Sequence, residues 1–453
     1  MAEQRPTRQS GELLEGRERY QRIMILALPI IGGMVSQNVM NLVDTAMVGT
    51  LGDAALAGVG VASFANFMAI AFIMGLSAGV QAMSARRVGE EREDTAIPLN
   101  GGLLLALAVG IPWAVLLFFA APLLFPFLNN DTNVIREGAP YLQMRLLAVV
   151  GVGMNLAFRG YWNGVDLSKL YMRTLILMHA TNIALNYTLI FGKFGFPELG
   201  TMGAGLGTMI STYLGTAYYI FLGMRHARKN GFLQGIPDGD SLRTIIRLSV
   251  PAGIQRFFFA AGMVTLFWII GHGPVAEVAA ANVLVNLLLV ALLPAMGFGM
   301  ASATLVSQAI GRKQVEDAKR WAWDVCKLAL VVVGLISLPG VFFPDLLLSV
   351  FIKKEATLAI ARFPLQLTAA IVLIDTIGMV LLNSLLGAGD SKTVMVISIV
   401  LQWGLFLPLA YVLGPILGFG LLAIWCGQIG YRSLQSGVFS VIWQKGKWSE
   451  IKI

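Results

Sequence analysis

The chain has 453 residues, 57% of them hydrophobic and only 13% charged, where a soluble domain carries roughly 25% charged residues. That deficit excludes a water-facing globule and, with it, a soluble enzyme. The net charge of +8 does not indicate a nucleic-acid partner, because the basic residues sort by loop in the way membrane proteins require.

Apolar runs of about 20 residues, long enough to cross a hydrocarbon core of roughly 30 Å, follow one another from Ile23 to Trp443. The polar first 22 residues contain no apolar stretch, so no cleavable signal is expected and the first helix serves as its own insertion signal. The apolar pattern predicts helices over 21–49, 54–85, 98–128, 138–163, 171–192, 202–225, 242–271, 276–310, 321–351, 361–387, 393–414 and 416–443. The expected fold is all-α and integral to a membrane, with twelve transmembrane helices.

Lys and Arg fall mainly in alternate loops: Arg5, Arg8, Arg17, Arg19 and Arg22 at the start, then Arg86, Arg87 and Arg92, Lys169 and Arg173, Arg225 to Arg247, Arg312 to Arg320, Lys392, and Lys445 to Lys452. The opposite side has Arg136, Lys193, Lys353, Lys354 and Arg362. The positive-inside rule then puts both termini in the cytoplasm of a multi-pass protein of the plasma or inner membrane.

The longest loop, Arg225 to Leu242, contains the turn former Pro237-Asp238-Gly239-Asp240 and divides the chain into similar halves. A shift of 222 aligns Pro29 with Pro251, Gly49 with Gly271, Met74-Gly75 with Met296-Gly297, and Gly89 with Gly311. A shift of 223 aligns Gly164 with Gly387, Ser168-Lys169 with Ser391-Lys392, and Met172 with Met395. The expected organisation is a cytoplasmic segment 1–22, an amino-terminal lobe of six helices over 23–225, a cytoplasmic linker 226–241, a second six-helix lobe over 242–443 and a cytoplasmic tail 444–453. Six helices per lobe give both lobes the same orientation, related by a pseudo-two-fold axis along the membrane normal. Such repeats enclose a central cavity and rock about it, so transport is the expected function, with membrane lipid around a monomer.

An ionised carboxylate at mid-membrane costs roughly 2.5 to 3.5 kcal/mol and needs a partner or a purpose. Gln37, Asn41 and Asp44, spaced by four and three, share one face of the first helix. Asp44 is either a buried titrating acid or a cap of the outer helix end; Gly49 follows more than a turn later, which favours burial. His179, Asn182 and Asn186 share a face of the fifth helix. With Asp44, Asn182 and Asn186 form either a proton or sodium site or plain interhelical hydrogen bonding; Asp44 and Asn182 are the metal ligands if Na+ binds. Asp375 in the tenth helix, two turns after Thr368, is either functional or ion-paired with Arg256, which together with Gln255 is otherwise a polar cavity residue.

Gly387-Ala388-Gly389-Asp390-Ser391-Lys392 lacks phosphate-loop spacing and repeats at Gly164 to Lys169 as a turn. With no nucleotide motif and no cofactor expected, the energy source is an ion gradient. Cys326 and Cys426, isolated in apolar surroundings, are expected to be small buried filler.

Asn41-Leu42-Val43-Asp44-Thr45-Ala46-Met47-Val48-Gly49, followed by Leu51-Gly52-Asp53-Ala54-Ala55-Leu56-Ala57, resembles the signature joining helices 1 and 2 of the multidrug and toxic compound extrusion (MATE) transporters. Gly89 and Gly311 closing two helices, and the Leu386-Gly387-Ala388-Gly389-Asp390 turn, extend the resemblance along the whole chain. It implies a cleft between two lobes, alternating access, and export of amphipathic, often cationic, drugs and toxic compounds in exchange for H+ or Na+. By the same resemblance Asp44 is the ion-coupling acid of the amino-terminal lobe, Asn182 and Asn186 its polar pair and Asp375 the helix 10 acid, with Tyr141 and Thr208 in the same lobe site. The chain departs from some relatives in carrying Asn186 where they carry an acid, and an apolar residue near Phe259 where a Na+-coupled branch carries glutamate. These departures favour H+ over Na+. The alternative reading is a lipid-linked oligosaccharide flippase of the same superfamily, for which Arg145, Arg159 and Arg256 are the available cavity cations.

Overall fold

The structure is a computed structural model and describes residues 16–453; Arg5, Arg8 and most of the expected amino-terminal segment lie outside the described residues. All regular structure among these is helical: α1 (Arg17–Gly49), α2 (Asp53–Ala71), α3 (Leu76–Gly89), α4 (Ile97–Leu128), α5 (Thr132–Leu147), α6 (Val149–Gly164), α7 (Ser168–Phe191), α8 (Gly200–His226), α9 (Gly239–Ile270), α10 (Val275–Gly311), α11 (Val315–Phe342), α12 (Pro344–Phe351), α13 (Glu355–Ala388), α14 (Ser391–Ile399), α15 (Leu407–Tyr411) and α16 (Gly420–Lys445). Among the described residues nine spans are long and apolar enough to cross a membrane, and ten if the bent α5–α6 pair is one span. Helices α8 and α16 fall outside that set because they carry internal polar groups such as Thr208, Ser211, Thr212 and Thr216, or Gln428, Arg432 and Gln435. The outer surface displays Leu42, Phe119, Leu123 and Phe127, all exposed, as an apolar solvent demands.

Several expected helices are broken. The helix expected over 54–85 divides at Gly75, where α9 crosses so closely that a Cβ on Gly75 would strike the Ser249 carbonyl and one on Gly253 the Phe72 carbonyl. Helices α5 and α6 bend by 47° at Ala148, and the expected 321–351 helix stops at Phe342 because Pro344 disfavours helical backbone at Phe343, which sits at φ -132° and ψ 52°. Between α14 and α15, Val400–Phe406 winds as π-helix, and Val412–Ile416 does so again after α15. Cys326 is buried as expected, but Cys426 is exposed on α16.

Most of the helices α1 to α8 pack chiefly on one another, as do most of α9 to α16, while α3 and α9 pack as heavily across the two sets. The internal similarity is visible in the turns. Glu91 and Lys313, one shift of 222 apart, both take left-handed φ values, 57° and 62°, just past α3 and α10. Asp166 and Gly389, 223 apart, do the same at 65° and 97°.

The two sets of helices join at the basic end of the bundle. There α3 crosses α10 so tightly that a Cβ on Gly89 would meet the Gln308 carbonyl and one on Gly311 the Arg86 carbonyl. Arg19 on α1 reaches across to α11, with Nη1 2.6 Å from Asp317 and Nε 2.8 Å from Asp324, its guanidinium 3.7 Å above the Trp321 ring. Arg22 donates to Asp166 at 3.2 Å and to Gln308 at 2.5 Å, and Gln81 on α3 donates to the Met300 carbonyl and Thr304 on α10. In the turn after α3, Arg92 hydrogen-bonds Asp94 and holds its carboxyl below the ordinary carboxylate range.

Gly89→Val should force α3 and α10 apart at a cost of about 1 to 3 kcal/mol from overpacking. The thermal midpoint of the purified protein in detergent should fall by several degrees; an unchanged midpoint would show that the crossing is loose.

Candidate functional site

Asp44 lies on α1 about 37 Å from Arg19 at the 1.5 Å rise of a helix, and so in the half of the bundle remote from the basic closure. It is half-buried, and its Oδ1 accepts from Asn186 Nδ2 at 2.7 Å. Asn186 Nδ2 also donates to Asn182 Oδ1 at 3.2 Å, and Asn182 Nδ2 donates in turn to Thr208 at 3.0 Å and Ser211 at 3.2 Å. The expected set of Asp44, Asn182 and Asn186 is therefore a relay: Asn186 touches the carboxylate and Asn182 stands behind it. Both amides are fully buried. Spacing by four puts them on one face of α7, and Gly207 on α8 gives Asn186 its room, since a Cβ there would overlap the amide oxygen.

Two turns away on α1, Gln37 Nε2 donates to Asn41 at 3.1 Å, and its Oε1 faces His179 Nε2 at 3.1 Å. Ser36 lies 2.7 Å from the other ring nitrogen. Gln37 Oε1 only accepts, so Nε2 donates to it. The imidazole fastens α7 to α1.

Gln37, Asn41, Asp44, Tyr141 and Thr208 all line one cavity of about 630 Å³, within the range of small-molecule sites. Tyr141 accepts from Arg145 at 2.8 Å and lies 3.3 Å from Ser63. Asp44 is the one carboxylate in that wall among the described residues.

The remaining expected residues lie elsewhere. Asp375 is buried in the other half, 2.6 Å from Arg432 on α16, so the alternative of an ion pair stands with its partner corrected from Arg256 to Arg432: α13 packs along α16, and Arg432 comes within reach where Arg256 does not. Thr368, two turns before Asp375, accepts from Trp425 at 2.7 Å. Gln255 is half-buried on α9 outside the large cavity, and Arg256 lines a separate small one. The helix that corresponds to α7 offers no second amide relay; its π-helical turn aims Gln402 and Trp403 at the backbone carbonyls of Phe259 and Phe258. Among the described residues no cluster of three or more His, Cys, Asp or Glu exists to hold a metal.

Sequence reasoning missed Arg432 as the partner of Asp375, and Ser211 and Arg145 as members of the first site. Tyr141 and Arg145 stand four apart on α5, which was the available signal; no spacing connects residues 375 and 432.

Asp375→Asn should strand the Arg432 charge and destabilise the protein by roughly 3 to 5 kcal/mol, while adding Arg432→Gln should recover much of that loss. Thermal unfolding of the single and double variants measures the coupling, and strictly additive losses would exclude it.

A family model described as MatE matches residues 29–188 and again 251–412, the offset of 222 seen in the internal repeat. A probable multidrug resistance protein NorM of Thermotoga maritima is 26% identical over 440 residues, covering 96% of this chain and 94% of its own. The Pseudomonas aeruginosa protein of the same description is 28% identical over 425 residues, covering 90% and 86%. Among solved structures, an outward-facing multidrug resistance MATE family transporter of the MOP superfamily superposes with a TM-score of 0.87 at 20% identity, covering 96% of this chain and 97% of its own. A MOP superfamily transporter from Pyrococcus furiosus gives 0.86 at 20% identity, with 96% and 97% covered.

Proposed function

The chain belongs to the MatE family, and from that premise we propose that it is a multidrug efflux transporter, as its relatives are described, working as a proton-coupled antiporter which exports amphipathic, often cationic, compounds through twelve spans in two six-helix lobes. The observation that carries this reading is the single carboxylate, Asp44, facing a cavity of drug size while an amide relay holds it from behind. Ionised, Asp44 attracts the charge of a cationic cargo and accepts from Asn186. Proton uptake cancels the attraction and turns one carboxylate oxygen into a donor that competes with the Asn186 amine for the same space. Cargo release and a shift of α1 against α7 follow from the same event.

The donor facing Asp44 favours H+ over Na+: an amide NH2 turned to the carboxylate would repel a bound cation, and the Asn186 oxygen lies against Gly207 instead. The joined basic end, with α3 on α10 and Arg19 on α11, is the cytoplasmic closure, leaving the cavity to open outward. The inward state requires the Arg19, Arg22 and Gln81 contacts to part, a switch between two packed arrangements about the fixed site.

Asp44→Asn should lower ethidium efflux from proteoliposomes to near background, a loss of at least about tenfold, and Asn186→Ala should reduce it in part. With gradients imposed separately, a pH gradient alone should drive wild-type efflux. Near-normal export by Asp44→Asn, or a strict need for sodium, would end the proposal.

A further inference from the structure

Two arginines in the middle of the protein are left without a carboxylate. Arg159 on α6 and Arg256 on α9 line one small cavity of about 20 Å³ between α3, α10 and α13. Arg159 and Met74 also belong to the wall of the large cavity, so the small cavity adjoins the large one through Arg159, with Arg256 behind it, beside the layer where Gln81 bonds α10. Arg159 Nε donates to Ser77 at 3.1 Å and its guanidinium faces the Tyr171 phenol, both neutral partners. Among the described residues neither Arg159 nor Arg256 forms an ion pair, whereas Arg432 at similar burial pairs with Asp375.

An arginine in this setting normally pairs within the protein, because an uncompensated charge away from water is expensive. Two such charges facing the same space repel, which deepens the cost and leaves a positive field whose natural relief is an anion. Guanidinium planes offer forked donors that match the oxygens of a carboxylate or phosphate. The small space holds about one water-sized group, so one oxygen of the head group enters it while the rest of the ligand stays in the cavity above, whose wall Arg159 also lines. At the remote end of the same cavity Asp44 and Arg145 both line the wall and offset one another, so the uncompensated positive charge lies at the floor.

Taking the large cavity as the cargo space, as in the proposed function, we propose that Arg159 and Arg256 form a subsite for the oxyanion head group, a carboxylate or phosphate ester, of an amphipathic ligand whose apolar body occupies that cavity. The cargo range then includes anionic and zwitterionic amphipaths as well as cations.

Equilibrium binding of 1-pyrenebutyrate and of its uncharged counterpart 1-pyrenebutanol to the purified full-length protein in detergent, corrected for protein-free micelles, tests this without any ion gradient. It therefore stands or falls independently of the Asp44 efflux experiment. The wild type should prefer the carboxylate by about tenfold or more, Arg159→Gln and Arg256→Gln should each bring the preference to within about twofold, and the two Lys variants should keep part of it. Equal wild-type binding of the two probes overturns the proposal whatever the variants do, and so does a parallel loss of both probes in the Gln variants. Competition identifies the source: displacement of pyrenebutyrate by dioleoyl phosphatidic acid and not by dioleoylglycerol assigns the subsite to a lipid head group, and displacement by phenyl phosphate alone assigns it to a soluble cargo. Failure of every anion to compete overturns it.

Discussion

A charge held between helices in an apolar solvent needs a counterpart, and the way each buried charge meets that demand organises this molecule. Arg432 finds Asp375, and the pair pins α16 to α13. Arg19 finds Asp317 and Asp324, and the three pin α1 to α11. Asp44 finds an amide instead of a cation, so its charge is tolerated without being cancelled. That difference separates a fastening from a switch: an ion pair is lost when one partner titrates, whereas an amide can accommodate either form of the acid by small movements.

The halves of the chain share a backbone plan and differ in what they do with it. The left-handed turns at Glu91 and Lys313, and at Asp166 and Gly389, occupy matching places. The helices that follow diverge. α7 is regular and presents Asn182 and Asn186 to α1, while its counterpart winds through a π-helical stretch and spends Gln402 and Trp403 on backbone carbonyls of α9. π-helical turns often mark functional positions; here the turn fills the space in which a second relay would stand.

Much of this was legible in the sequence. Apolar runs, the sorting of basic residues and the collinear glycines gave the helical order, and spacings of three and four placed Gln37, Asn41 and Asp44 on one face and Asn182 and Asn186 on another. What stayed hidden was tertiary. No local pattern states that α9 crosses the break between α2 and α3 at Gly75, or that Asp375 chooses Arg432 over Arg256, because those facts depend on which helices become neighbours. Proline and glycine announced breaks without saying whether the chain would bend, as at Ala148, or stop, as before Pro344.

The solitary carboxylate in the wall of the large cavity also sets a thermodynamic ceiling. If that group alone carries the coupling ion, each turnover exchanges at most one of them, and the steepest outward accumulation of an uncharged cargo equals the electrochemical ratio of that single ion. A pump so built trades concentrating power for breadth: it keeps a modest disequilibrium against many compounds and does not empty the cell of any one.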